Sequence, residues 1–70
     1  MEPKNGRYRH FKGAEYEVLG IARHSETLEE LVVYRALYGE QGLWVRPRAM
    51  FLEDVTVEGT IRPRFTRIEP

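Results

Sequence analysis

The stretch Leu31–Pro47, LVVYRALYGEQGLWVRP, constrains the fold of this chain more than any other. Val32, Val33 and Tyr34 are β-branched or aromatic, residue types that fit a pleated, half-buried surface. Gly39-Glu40-Gln41-Gly42 then makes a short hairpin loop before the extended run Leu43–Pro47. A helical reading competes upstream: Thr27 followed by Glu30 matches a capping box, and Gly39 stands where a helix C-cap would. Yet Leu28, Leu31, Val32 and Leu37 form no clean helical stripe, because Arg35 falls on the same face. The expectation is a turn or single helical turn at 25–30 and a strand at 31–38, with a longer helix from Thr27 as the alternative.

The hairpin implies a register. A loop of two or four residues centred on Glu40-Gln41 sets Tyr38 opposite Leu43, Leu37 opposite Trp44 and Arg35 opposite Arg46. One face then carries Val32, Tyr34, Ala36, Tyr38, Leu43, Val45 and Pro47, and is expected to be the core side. The other carries Val33, Arg35, Leu37, Trp44, Arg46 and Arg48. Side chains alternate along a strand, so a one-residue slip would mix the two sets. Two arginines directly opposite repel unless an anion lies between or beside them. That anion is either an internal carboxylate, with Glu53, Asp54 and Glu26 as candidates, or an external ligand held by guanidinium forks beside Trp44. The expected ligand-binding residues are Arg35, Trp44, Arg46 and Arg48, with His24 at the margin.

Elsewhere the chain offers short extended pieces and turns. Residues 1–6 form a loose N-terminal end. Tyr8–Phe11 is a short strand closed by Lys12-Gly13, and Tyr16–Ala22 is a strand with Gly20 as a bulge or close-approach point. Ala49–Asp54 is expected to be a short helical turn carrying Met50 and Phe51 inward. Val55–Val57 and Phe65–Ile68 are the last extended pieces, with Gly59 and Pro63 between them. Short strands separated by turn residues indicate a small all-β barrel or sandwich, one domain over residues 1–70.

Composition narrows the function classes. A chain of 70 residues buries a small core, and with no cysteine it has neither a disulfide nor a thiolate zinc site to reinforce it. Eleven basic residues balance eleven acidic ones, so bulk charge recruits neither nucleic acid nor membrane. No apolar run approaches the ~20 residues of a membrane span, and the N-terminus carries no hydrophobic leader; the expected location is cytoplasmic. His10 and His24 alone offer imidazoles, so no metal is expected, and Gly39-x-x-Gly42 lacks the lysine and helix of a phosphate loop, so no cofactor is expected either. Arg7, Arg9, His10 and Lys12, with Arg62, Arg64 and Arg67, would merge into a basic patch if the terminal strands pair.

Three function classes remain. The first is a non-enzymatic binding module for an anion, whether a phosphate-containing molecule, a nucleic acid or an acidic peptide. The second is a small enzyme using His24 with Glu26 or Glu53. No catalytic residue is assigned, because His24, Ser25 and Glu26 are sequence neighbours and would point to opposite faces of a strand. There, Ser25 or Thr27 is expected to cap a turn through its hydroxyl. The third is a homo-oligomer or accessory subunit joined through Trp44 and an exposed strand edge.

Arg7-Tyr8-Arg9-His10-Phe11-Lys12-Gly13, Tyr16-x-Val18-Leu19, Ala22-x-His24-Ser25-Glu26-Thr27, Val33-Tyr34-x-x-Leu37-Tyr38 and Trp44-Val45-Arg46-Pro47-x-x-Met50-Phe51 follow one ordered pattern. In this the chain resembles the small bacterial domain-of-unknown-function family 1653 over about residues 6–57. The resemblance implies a five-stranded SH3-like barrel with one short helical turn near 49–53. It implies no activity and no catalytic roles, and it sets the His24–Thr27 and Trp44–Pro47 blocks in one pattern around a shared shallow groove.

Overall fold

A computed structural model describes residues 3–69. In chain order the elements are β1 (Gly6–His10), β2 (Glu15–Arg23), β3 (Glu30–Ala36), β4 (Leu43–Pro47), α1 (Arg48–Phe51), β5 (Asp54–Val57), β6 (Thr60–Pro63) and β7 (Phe65–Glu69). The architecture is all-β with one short helix. Five antiparallel strands form a sheet in the order β4-β3-β2-β1-β7, and β5 pairs with β6 in a separate ribbon. No helix among the described residues is long and apolar enough to cross a membrane.

The sheet is strongly curled, and two distances show it. Tyr34 on β3 and Phe65 on β7 stand three strands apart in the sheet order, yet their ring centroids are 5.9 Å apart. In a flat sheet three strand spacings would separate them by roughly 14 Å. Arg46 on β4 lies 5.7 Å from the centroid of the same Phe65 ring, although β4 and β7 are opposite edges. A bulge in β2 assists the curl: the pairing with β3 shifts between Val18 and Gly20, and such an insertion bends and twists a strand. Gly20 stands beside that bulge without needing a left-handed backbone, and a Cβ added there would meet nothing.

Inside the curl the core is mainly aromatic. Tyr8, Val18, Val32, Tyr34, Phe51 and Phe65 form one buried cluster, with Tyr16 and Ile21 packed against it. Alternation along β3 buries Val32, Tyr34 and Ala36, as the sequence pattern indicates. Helix α1 exists to deliver Phe51, which stacks on Phe65 at 4.1 Å between centroids and meets Tyr8 edge-on at 5.4 Å. Met50, expected inward beside it, is exposed.

The β3–β4 register differs from the one the sequence suggests. Tyr34 pairs with Trp44, Val33 with Val45, Val32 with Arg46 and Arg35 with Leu43. The connection spans residues 37–42: Leu37 N–H still bonds Glu15 O of β2, continuing that ladder, while pairing towards β4 ends at Ala36 N–H to Gly42 O. A β-turn closed by Gln41 N–H to Tyr38 O follows, with Gly39 and Gln41 both at positive φ. The pairing is thus offset by an odd number of positions, which inverts every side chain of β4. Trp44 and Arg46 share the concave face with Tyr34; Leu43 and Val45, expected in the core, are 60% and 56% exposed on the convex side. Arg35 does not face Arg46: its cross-strand neighbours are Glu17 and Leu43.

Candidate functional site

The concave face ends in a pocket of ≈ 210 Å³ lined by Tyr16, Tyr34, Tyr38, Trp44 and Arg46. Strand pairing sets four of the five in place. Tyr16 lies opposite Ala36, one alternation from Tyr34, and Trp44 lies opposite Tyr34 itself. Tyr38 reaches over from the β3–β4 connection, and its hydroxyl hydrogen-bonds that of Tyr16 at 2.9 Å. The Tyr16 ring meets Tyr34 and Tyr38 edge-on at 5.2 and 5.7 Å, so neighbouring walls stand nearly perpendicular.

Arg46 supplies the charge. Its Nε donates to Tyr34 Oη at 3.4 Å, and its guanidinium lies over the Phe65 ring. Among the described residues it has no carboxylate within ion-pair distance; the pairs present are Arg9–Glu15, Arg48–Glu30 and Arg64–Glu53. A partly buried cation without a counter-ion is incompletely compensated, since a neutral hydroxyl and a ring face replace only part of its hydration. Burial and the Tyr38 hydrogen bond push the Tyr16 phenol up to about 12, so it stays protonated at neutral pH. One proton of the Tyr16–Tyr38 pair, the Tyr34 hydroxyl proton and the terminal guanidinium nitrogens are left to donate. This combination of donors and flat apolar walls suits a small anion carrying a planar or apolar part.

Behind this wall sits His10, edge-on to Phe65 at 5.0 Å and to Tyr16 at 6.5 Å. Burial lowers its pKa, with Arg46, Arg64 and Lys12 adding to the effect. Its Nδ1 accepts the Lys12 N–H at 3.2 Å and so closes the β1–β2 turn.

His24 has the same task one hairpin later. Its Nδ1 accepts the N–H groups of Glu26 at 3.1 Å and Thr27 at 3.3 Å, while Thr27 Oγ1 accepts from Glu29. The opening of the β2–β3 turn is therefore capped by an imidazole, in the manner of an Asx turn. No carboxylate among the described residues lies within ion-pair distance of His24. It follows β2 directly, eight residues from Tyr16, or roughly 26 Å along a strand. Arg48 pairs loosely with Glu30 at 3.7 Å and is not among the pocket residues. Of the residues expected from sequence, the pocket gathers Trp44 and Arg46. It adds Tyr34 and Tyr38, which the hairpin register assigns to the core side, and Tyr16, read from sequence only as the start of a strand; their hydroxyls were the remaining signal.

The terminal strands do pair: β1 and β7 lie side by side. Arg9 of β1 and Arg62 of β6 line a smaller depression of ≈ 170 Å³ with His10, Phe11, Thr66 and Ile68. Arg9 and Arg64 are each ion-paired, so this basic patch is partly neutralised.

Comparison with known proteins gives two positive findings. The family described as a protein of unknown function (DUF1653) matches residues 6–67. A crystal structure of a DUF1653 protein from Bordetella bronchiseptica is 37% identical, with a TM-score of 0.85 over 97% of this chain and 94% of that one. No curated protein matches.

Proposed function

The chain belongs to the DUF1653 family, and from that premise we propose that it is a small binding module taking an anionic ligand in the Tyr16–Tyr34–Tyr38–Trp44–Arg46 pocket. The observation that carries this reading is Arg46, a half-buried guanidinium in an aromatic pocket with no carboxylate partner among the described residues. An incoming phosphate or carboxylate supplies that counter-charge, and Trp44 gives its planar part a face to stack on. Arg35 on the convex face, Arg48 beside Glu30 and His24 in its turn are left outside the binding set.

We read the curled sheet as an SH3-like barrel, and the lack of cysteine as suited to a reducing, cytoplasmic setting. Trp44 is the single tryptophan of the chain, so its fluorescence reports on the pocket directly. Titration with inorganic phosphate, short oligonucleotides and acidic peptides should change that emission saturably for one of the three classes. A flat response to all of them removes the reading.

A further inference from the structure

Strand β4 is an edge of the main sheet, and it is built unlike a protected edge. Natural edges are blunted with charge, yet Leu43, Trp44 and Val45 follow one another here at 60%, 58% and 56% exposure. The opposite edge, β7, carries Thr66 and Arg67 at the corresponding stage. The apolar residues that hydrophobic patterning assigns to the core are thus left in water on one strand.

The backbone of β4 adds a second observation. Ala36 N–H bonds Gly42 O at 3.0 Å, and antiparallel pairing alternates from there. The main-chain groups of Gly42, Trp44 and Arg46 therefore point to β3, and those of Leu43, Val45 and Pro47 point outward. Proline offers no N–H, so the outward donors within the strand are Leu43 and Val45.

We infer that β4 is the seam of a symmetric dimer, in which two copies of this chain pair their β4 strands antiparallel about Val45. The register follows from the strand itself. Centring on Trp44 or Arg46 still pairs outward groups but overlaps only residues 43–45 or 45–47 of the strand, whereas centring on Val45 overlaps all of it. Centring on Arg46 also sets two cations face to face. Centring on Pro47 lacks the central donors, and centring on Leu43 overlaps only the start of the strand. About Val45, the two Val45 residues exchange both N–H···O bonds, and each Leu43 N–H reaches the Pro47 carbonyl of the other copy.

The side chains then agree on both faces. On the convex face Leu43, Val45 and Pro47 of each copy form one apolar row. On the concave face each Trp44 stands directly opposite the other copy's Arg46, a non-hydrogen-bonded pair with Cα atoms about 4.5 Å apart. Such a pair sets a ring face beside a guanidinium in place of like charges. The second Trp44 also extends the wall of the pocket, so two ligand sites adjoin across the two-fold axis.

Sedimentation from micromolar to millimolar chain tests this, with Val45→Lys and Val45→Glu as variants. Val45 is more than half exposed and lies outside the pocket, so both variants fold, which circular dichroism verifies. The wild type is expected to reach about twice the 8.3 kDa of one chain. Each variant should weaken the dimer at least about tenfold, and an equimolar mixture should restore it, since opposite charges then meet at the axis. A wild type that stays monomeric, a dimer indifferent to both substitutions, or a mixture that fails to reassociate would each overturn the inference. Ligand binding by the Val45→Lys monomer, read from Trp44, separates this outcome from the fate of the pocket itself.

Discussion

At the scale of single residues the two histidines have one job in common. Each ends or follows a strand, and each Nδ1 accepts main-chain N–H from residues two or three positions on: Lys12 for His10, Glu26 and Thr27 for His24. An imidazole accepts at Nδ1 only when neutral there, so the turn and the proton compete for one lone pair. For His10, burial and then the charges of Arg46, Arg64 and Lys12 depress the folded pKa below 6.5. The unfolded chain therefore binds this proton more readily than the folded one. Stability from this site is fully present above pH 6.5 and is lost as pH falls toward the depressed value. Thermal melts from neutral to mildly acidic pH should show a falling midpoint, and His10→Asn, whose amide oxygen can accept in the same place, should flatten it. An equal slope in wild type and variant would assign the acid sensitivity elsewhere. The sequence already points away from catalysis at His24-Ser25-Glu26 and towards a hydroxyl cap, which Thr27 supplies; the imidazole's own capping role depends on which atoms a turn brings together.

Among the elements, the hairpins divide into those with readable turns and those without. Alternation identified the buried face of β3 correctly, because Val32, Tyr34 and Ala36 obey the period-two rule within one strand. The partner strand was inverted because its phase depends on loop length, and pairing begins at Ala36 and Gly42, which leaves residues 37–41 in the loop where the sequence suggests a loop of two or four residues. The β5–β6 ribbon escaped for a related reason. Glu58 and Gly59 both have positive φ between the paired Val57 and Thr60, the arrangement of a type I′ turn. Asn-Gly or Asp-Gly would have signalled it, whereas Glu-Gly does not. Glutamate is strained in the left-handed region, so Glu58→Asn should stabilise the chain by about 0.5–1 kcal/mol. Urea unfolding would register this as a higher midpoint at unchanged slope; no gain would mean that the turn relaxes in solution.

The whole molecule balances a small aromatic core against a wide concave face. Phe51 touches both Phe65 and Tyr8, and it fills the mouth of the curl from the one helical turn. That the turn at Ala49–Asp54 would send Phe51 inward was legible, since a short domain has few other places for an aromatic ring; that Met50 beside it would stay exposed was not. Phe51→Ala removes the stack and should cost about 3–5 kcal/mol. A core of this size supplies only ~3–5 kcal/mol net, so the variant should be largely unfolded at room temperature, with its near-ultraviolet dichroism lost. A cooperative melt close to that of the wild type would show that α1 is dispensable.

The same curl brings Arg46 from one edge over Phe65 of the other, and so creates a charged, aromatic pocket that no linear spacing encodes. The central claim is that Arg46 waits there for an anion. Its most direct test compares ligand affinity, read from Trp44 emission, between the wild type and Arg46→Met. Methionine keeps much of the stem and removes the guanidinium, a charge-assisted contact worth about 1.5–3 kcal/mol. A loss of roughly ten- to hundredfold in affinity, with the melting curve nearly unchanged, is the predicted result. Equal affinity in the two proteins would contradict it.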